Sequence, residues 1–315
     1  MRVPQSLLGE RTITMLLRGC VLAVVSGIAL PQMAQEIKLF GISHARYSAS
    51  ALNDYPDTDI DYVETGGFLT IPLISKDSSD IFVNLLSYKQ LNAGLNNSVL
   101  YDTKRVEQDY HVASYTLNWI HRFGKKWLML TSVNPTLSSD LEEKISGDDF
   151  LVLGALMLRR TAHPVWKWGI GISYNTGFGR PLLMPVAELS YRKMPFSFSA
   201  LLPVSVTALY HRPSDRLRMG VQAALDGSYF NLGVPDVIPG QTAPVDKVEY
   251  SRINIGPVVD IRVVGNFRME LAGGVSTNRL LRFVNADDGL IDLTATTGPF
   301  LRAGIAYVIK LPEAP

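Results

Sequence analysis

The side chains able to do chemistry are few and scattered. Histidines stand at positions 44, 111, 121, 163 and 211, and no two have metal-ligand spacing. A hydrolase would need a serine or carboxylate beside a basic partner. Asp109 and His111 share a face if the segment is a strand, and Ser114 lies close in sequence. The acidic stretch NADDGLID (285–292) could attract calcium, but it lacks the glycine placement of an EF-hand loop. Asn96–Asn97–Ser98 matches a glycosylation acceptor, a pattern too short to carry weight alone. His163 and His211 flank short turns, where a solvated polar residue is the plain expectation. No catalytic residue, metal site or cofactor is therefore assigned.

Charges that alternate with apolar residues say more. Arg159, Lys167, Glu188, Arg192, Arg218 and Asp226 fall on the polar faces of alternating segments, as do Arg252, Asp260, Arg262, Arg268, Glu270 and Arg302. Eight of these are basic and four acidic. A water-filled lumen lined by them would be mildly electropositive and would favour anionic solutes. The same groups could instead pair across neighbouring strands and brace a wall. Arg268 and Glu270 beside Asp260 and Arg262 look like such a network.

The elements carrying these charges have a period of two. In Leu217–Tyr229 (LRMGVQAALDGSY), Leu217, Met219, Val221, Ala223, Leu225 and Tyr229 share one face and Arg218, Gln222, Asp226 and Ser228 the other. Val165–Asn175, Ile253–Val263 and Phe267–Val275 repeat the pattern. The alternating segments run to 9–15 residues, beyond the roughly 5–6 usual in globular proteins. That length suits membrane strands, which need about 9–11 tilted residues. Edges cannot stay open in lipid, so such strands must close into a barrel.

Of the 315 residues, 47% are hydrophobic, 19% are charged and the net charge is +1. With no basic tract, this is not the balance of a nucleic-acid-binding protein. The apolar run Cys20–Leu30 is too short to span a bilayer, which takes roughly 20 residues. Preceded by Arg18 and followed by PQMA, it reads as a secretory signal covering 1–34, with Met15 an alternative start and cleavage after Ala34. Cys20 opens the apolar region instead of following it, unlike a lipid-modified cysteine. Residues 35–315 then form the barrel, with no cysteine. Losing Arg2, Arg11, Arg18 and Glu10 with the signal takes the charge from +1 to −1.

Strands are predicted near 36–49, 60–74, 81–91, 107–122, 127–138, 149–160, 165–175, 183–192, 217–231, 247–263, 267–282 and 297–310. Their connections alternate in length: KDSS, FGKK, TAHP, KM, RPSDR and GN are short, whereas 50–59, 92–106, 139–148, 176–182, 232–246 and 283–296 are longer. Short periplasmic turns and longer extracellular loops are the habit of outer-membrane barrels, which have an even strand count. The segment 195–212 contains Pro203, which a central strand should not hold. Read as one strand it gives 13 and reverses the alternation. Split at Leu202–Pro203 into Phe196–Leu202 and Val204–Arg212 it gives 14, so Pro203 is a turn residue and the wall is lowest there. Twelve strands is the alternative.

Aromatic residues cluster beside the short turns: Trp119, Phe123, Trp127, Trp166, Trp168, Tyr191, Phe196, Tyr210, Phe267 and Tyr307. Rings gather at membrane interfaces, so these are read as a periplasmic girdle.

The export signal, the alternating strands and the closing strand GPFLRAGIAYVIK (298–310) resemble bacterial outer-membrane β-barrel proteins. LLP followed by LYHRPSDRLRMGVQAALDGSYF is similar to a porin-like barrel family of Gram-negative bacteria described as a domain of unknown function. The resemblance covers essentially the whole mature chain and brings no catalytic residues. It implies insertion into the outer membrane by the barrel-assembly machinery, among lipids and lipopolysaccharide. It sets no oligomeric state. In one departure Tyr307 is followed by VIKLPEAP, where the sorting signal usually ends on an aromatic residue. The leading expectation is a passive pore or small-solute transporter. A structural or adhesive barrel whose loops bind a partner comes second, and an outer-membrane hydrolase third.

Overall fold

The period-two segments fold into one wall. The computed structural model describes residues 36–75, 79–98, 103–214, 216–236, 244–284 and 290–310. The leader, with Met15, Cys20 and Ala34, and most of the NADDGLID stretch lie outside the described residues. The strands are β1 (Glu36–Ala51), β2 (Asp59–Ile74), β3 (Asp80–Ser98), β4 (Thr103–Phe123), β5 (Trp127–Ser139), β6 (Phe150–His163), β7 (Trp166–Asn175) and β8 (Leu182–Lys193). There follow β9 (Phe196–Leu202), β10 (Ser205–His211), β11 (Leu217–Asp236), β12 (Val245–Val264), β13 (Phe267–Val284), β14 (Leu290–Ala295) and β15 (Gly298–Lys310). A 3-10 turn, Gly147–Asp149, precedes β6, and no helix among the described residues could cross a membrane.

From β1 to β13 each strand pairs antiparallel with the next, and β15 closes the ring on β1 from Glu36↔Lys310 to Tyr47↔Phe300. β14 and β15 share one place in the wall. β14 pairs with Arg279–Val284 of β13 and β15 with Phe267–Ser276. The wall is therefore a closed barrel of 14 strands. The outward side chains over its middle are apolar, among them Ile42 (66% exposed), Ile170 (60%), Val221 (60%) and Leu301 (66%). A continuous apolar belt on a closed barrel is what the hydrocarbon region demands.

Pro203 sits in the two-residue turn between β9 and β10, whose pairing runs from Phe196↔Tyr210 to Leu201↔Ser205. The low point predicted in the wall is there. Three predicted loops are different. Much of 92–106, 232–246 and 283–296 is strand, since β3 and β4 reach Ser98 and Thr103, β11 and β12 reach Asp236 and Val245, and β14 occupies Leu290–Ala295. The added lengths are held by packing inside the barrel.

The lumen departs furthest from expectation. The alternating segments lead one to expect a lumen lined by polar and charged side chains, yet at the loop end the interior is an apolar core. Ile60, Tyr62, Leu91, Tyr110, Phe230, Val248, Tyr250, Leu281 and Phe283 are fully buried there. All come from β1–β4 and β11–β15, which face one another as two layers. Opposing rings meet across the lumen, Tyr62 with Tyr250 at 4.9 Å and Tyr110 with Phe230 at 4.7 Å between centroids. The walls also touch. Asn231 of β11 forms a parallel bridge with Ser139 of β5, and Asp140 N–H donates to Asn231 O at 3.2 Å. This pinch splits the loop end into a large packed lobe and a small one enclosed by β6–β10.

Candidate functional site

Below the apolar core the inward residues turn ionic, and their partners lie across the lumen. Arg252 on β12 is completely buried. Its Nη2 donates to Glu64 Oε2 of β2 at 2.5 Å and to Asp226 Oδ2 of β11 at 2.6 Å. Its guanidinium carbon lies 3.7 Å from the Tyr47 ring centroid and 4.9 Å from that of Tyr250. Arginine suits this place because its flat, weakly hydrated head can stack and donate together. Lys89 of β3 completes the group, with Nζ 3.4 Å from Asp226 Oδ1 and 3.7 Å from Glu64 Oε1. Together these groups floor the apolar core. Beneath them lies a cavity of about 210 Å³ lined by Ser43, Glu64, Phe68, Ser87, Lys89 and Arg302.

Toward the turn end two more ionic groups follow. Glu270 accepts from Lys38 Nζ and from Arg302 Nη2, both at 2.9 Å, and Arg302 also donates to Gln222 Oε1 at 3.2 Å. Glu36 accepts from Arg218 at 2.6 Å and lies 3.9 Å from Arg262 and 3.8 Å from Arg268, while Arg268 Nε donates to Asp260 at 2.6 Å. In the small lobe Arg159 grips Glu188 with two bonds, 2.7 and 2.6 Å, both residues buried. Gly169 stands between them in register, so no side chain separates the pair. Lys167 and Arg192 are partly buried on the inner parity of the same lobe.

All twelve lumen residues named from the sequence lie on the inner parity, and ten of them, all but Lys167 and Arg192, fall in the ionic groups just described. The network read around Asp260, Arg262, Arg268 and Glu270 is divided: Glu36 joins the first three, and Glu270 turns to Lys38 and Arg302. Glu36, Lys38, Glu64, Lys89 and Arg279 were missed. Two-residue spacing would have found Glu64 and Lys89, since each continues an inward series, Ile60–Tyr62–Glu64 and Val83–Leu85–Ser87–Lys89. Arg279 is fully buried and donates to Ser48 O at 3.1 Å, Ser50 Oγ at 2.5 Å and Ile60 O at 3.1 Å. It ties β13 to β1 and β2 at the break between β14 and β15.

The aromatic residues line the turn end. Trp127 and Trp168, Trp166 and Tyr191, Phe196 and Tyr210, and Phe267 and Tyr307 meet edge-on or tilted, and Trp119 stacks on Phe82. The outer face also turns polar toward the loop end. His44 shares a hydrogen bond with Thr65 at 2.9 Å, His111 one with Tyr88 at 2.8 Å, and Asp109 accepts from Gln90 and Asn92. Ser114 is on the other side of the wall, bonded to Ser87 Oγ at 2.7 Å. Strand alternation sends Ser114 inward and His111 outward, so these two cannot act as nucleophile and base. No group of three or more His, Cys, Asp or Glu among the described residues is placed to hold a metal ion.

The pinch has its own carboxylates. Asp140 accepts from Gly233 N–H at 2.9 Å, and Asp149 from the Ser146 N–H at 2.6 Å and from Asn231 Nδ2 at 2.9 Å. Burial works to raise the Asp149 carboxyl, but the hydrogen bonds from Ser146, Ser139 and Asn231 outweigh it and hold it below its ordinary value. A depressed folded value stabilises the loop above the unfolded pKa of about 4, and this is lost as the pH falls through the lower value. The anisotropy of a dye on Ile145→Cys is expected to hold from neutral pH to about 4 and to drop below it. A trace that stays flat below pH 4 as well would remove Asp149 from the pinch.

A closed 14-strand wall with an apolar belt, a ring of aromatics at one end and an ionic interior defines a membrane-spanning β-barrel. Residues 78–286 match the family model "Domain of unknown function (DUF6268)", and the chain belongs to that family. No curated protein matches it. Among solved structures it is similar to outer membrane phospholipase A from Escherichia coli, with 10% identity over 90% of this chain and 95% of that one and a TM-score of 0.32. A Pseudomonas aeruginosa FadL homologue is 11% identical over 86% and 76%, TM-score 0.32. Salmonella typhi OmpF in complex with daunomycin is 10% identical over 87% of this chain, TM-score 0.24.

Proposed function

We propose that this protein is an outer-membrane barrel of a Gram-negative bacterium that passes small polar solutes and rests shut. Its short turns face the periplasm and its loops the outside, lipids and lipopolysaccharide surround it, and the barrel-assembly machinery inserts it after a signal peptide is removed. It performs no covalent chemistry, in keeping with Ser114 and His111 lying on opposite faces of the wall.

The observation that carries this reading is the ionic vestibule. Glu270, Arg302 and Asp226 keep about a third of their side chains open to water inside the wall. Ion pairs alone could brace a purely structural barrel, but such a barrel has no need of the cavity of about 210 Å³ kept open beside these partly wet groups. Arg252 and Lys89 are matched by Glu64 and Asp226, but Lys38 and Arg302 share the single carboxylate of Glu270, so the vestibule keeps a net positive charge and would favour anionic over cationic solutes. The route outward is blocked by the two-layer core, so passage needs the layers to part.

Planar-bilayer recording tests this. The refolded wild type is expected to show rare, brief steps. Removing the Tyr110–Phe230 ring pair by Tyr110→Ala with Phe230→Ala should give long-lived ones. Silence from a folded double variant would favour a structural or adhesive barrel.

A further inference from the structure

The cavity beneath the Arg252 group follows from side-chain size on successive rungs of the wall. On one rung the inward residues are Gly304 of β15, Ser43 of β1 and Gly66 of β2. The same rung continues to Lys89 of β3 and Val112 of β4. Three small residues side by side leave a hollow that larger side chains would fill. The rung above carries Arg302, Ala45 and Glu64, and the rung below Ala306, Gly41, Phe68 and Ser87. The Phe68 ring lies over Gly41, where a Cβ would stand 2.5 Å from Phe68 Cζ. Leu85 and Val112 extend this apolar side of the lining.

The charged side has donors to spare. Lys89 Nζ makes one hydrogen bond, a long one of 3.4 Å to Asp226. Arg302 uses only Nη2, toward Gln222 and Glu270. Among the described residues nothing accepts from their remaining donors. Arg252, Lys89, Lys38 and Arg302 meet three carboxylates, those of Glu64, Asp226 and Glu270, so one positive charge is left over. Glu64 on the rim is already held by Arg252 at 2.5 Å. Side-chain exposure falls only from 42% at Lys38 to 28% at Lys89, a wet path to the hollow from the turn end.

We propose that this hollow binds one monocarboxylate with a compact apolar body, its carboxylate between Lys89 and Arg302 and its body against Phe68, Leu85 and Val112. That the bound molecule is a transported solute rests on the reading above; the site itself stands on these residues. A single negative charge matches the single excess positive one, and charge-assisted bonds to lysine and arginine are the strong kind. A bare anion would leave the apolar side in water. A cavity of roughly 150 Å³ suffices for benzene, so about 210 Å³ takes a ring with its carboxylate.

The probe is 4-fluorobenzoate, followed by fluorine NMR with the barrel refolded in a neutral detergent, and unlabelled compounds compete for it. One site per chain is expected, emptied by benzoate, with acetate, sulfate and benzylamine each needing at least about tenfold more. Ser43→Leu fills the hollow but spares both cations, and should abolish binding. Arg302→Gln should weaken it about tenfold. Displacement by sulfate or acetate as readily as by benzoate would overturn the site, as would a folded Ser43→Leu variant that still binds. The competitor series on the wild type decides the matter even if neither variant folds. Absence of binding beside long-lived steps in the Tyr110→Ala, Phe230→Ala variant would end the site and keep the transport reading. Bound probe beside a silent variant would do the reverse.

Discussion

Arg252→Leu is expected to lower the stability of the folded barrel by about 3–5 kcal/mol, the usual cost of removing one partner from a buried ionic group. The side chain is completely enclosed, and its Nη2 alone bridges Glu64 and Asp226. Without it those carboxylates, from opposite walls, face each other with only Lys89 at 3.4 and 3.7 Å. Leucine also forfeits the stacking on Tyr47, worth about 2 kcal/mol when water is excluded. The check is the urea midpoint of folding into vesicles, followed by the folded band that resists heating. Glu64→Gln added to Arg252→Leu should recover part of the loss, since it removes one stranded charge. Full stability in the single variant would mean that the group is ornamental and that packing alone holds the core.

Much of this was legible in the sequence, and the part that was not has one cause. Within the apolar belt a strand is apolar outside and polar inside, which is why Val221 against Gln222 could be read and why parity placed Pro203 in a turn. Where a strand leaves the belt the preference inverts. In β3, Leu86 and Tyr88 point out to the belt and its edge, but farther up Leu91, Ala93 and Leu95 point in while Gln90 and Asn92 point out. β11 changes likewise from outward Val221 to inward Phe230, while in β13 an irregularity at Asn278 (φ +50°) turns the same odd positions from outward Leu271 to inward Leu281 and Phe283. Such a switch breaks a one-face pattern and resembles a loop, so the upper halves of these hairpins were lost. The chords were hidden for another reason. Strand order is implied by the alternating turns and loops, but which opposite walls meet depends on how the barrel is pinched. No local spacing tells that Arg252 will find Glu64, 188 residues away.

Gly256→Val should do more damage still, preventing closure of the folded barrel at a cost of at least about 3 kcal/mol, the upper range for overpacking. A Cβ at Gly256 would stand 1.9 Å from the carbonyl oxygen of Gly273, and 2.8 Å from both its carbonyl carbon and the Gly274 Cα. These are backbone atoms of β13, which no rotamer change can move. The approach has a role on both strands. Gly274 opposite has φ +143°, a conformation open to glycine and strained for other residues, and the regular β12–β13 pairing is interrupted between Ile255↔Val275 and Val258↔Ala272. β12 and β13 carry Arg252, Asp260, Arg268 and Glu270 on either side of this crossing, so forcing it apart would misalign the ionic groups above and below together. Gly67→Ala is the matched control, because its Cβ would meet only ordinary contacts at 3.4 and 3.6 Å. The alanine variant should keep the heat-resistant folded band, and the valine variant should lose it. Equal folding of both would show that the β12–β13 crossing yields without cost, and that the register of the ionic groups is set elsewhere.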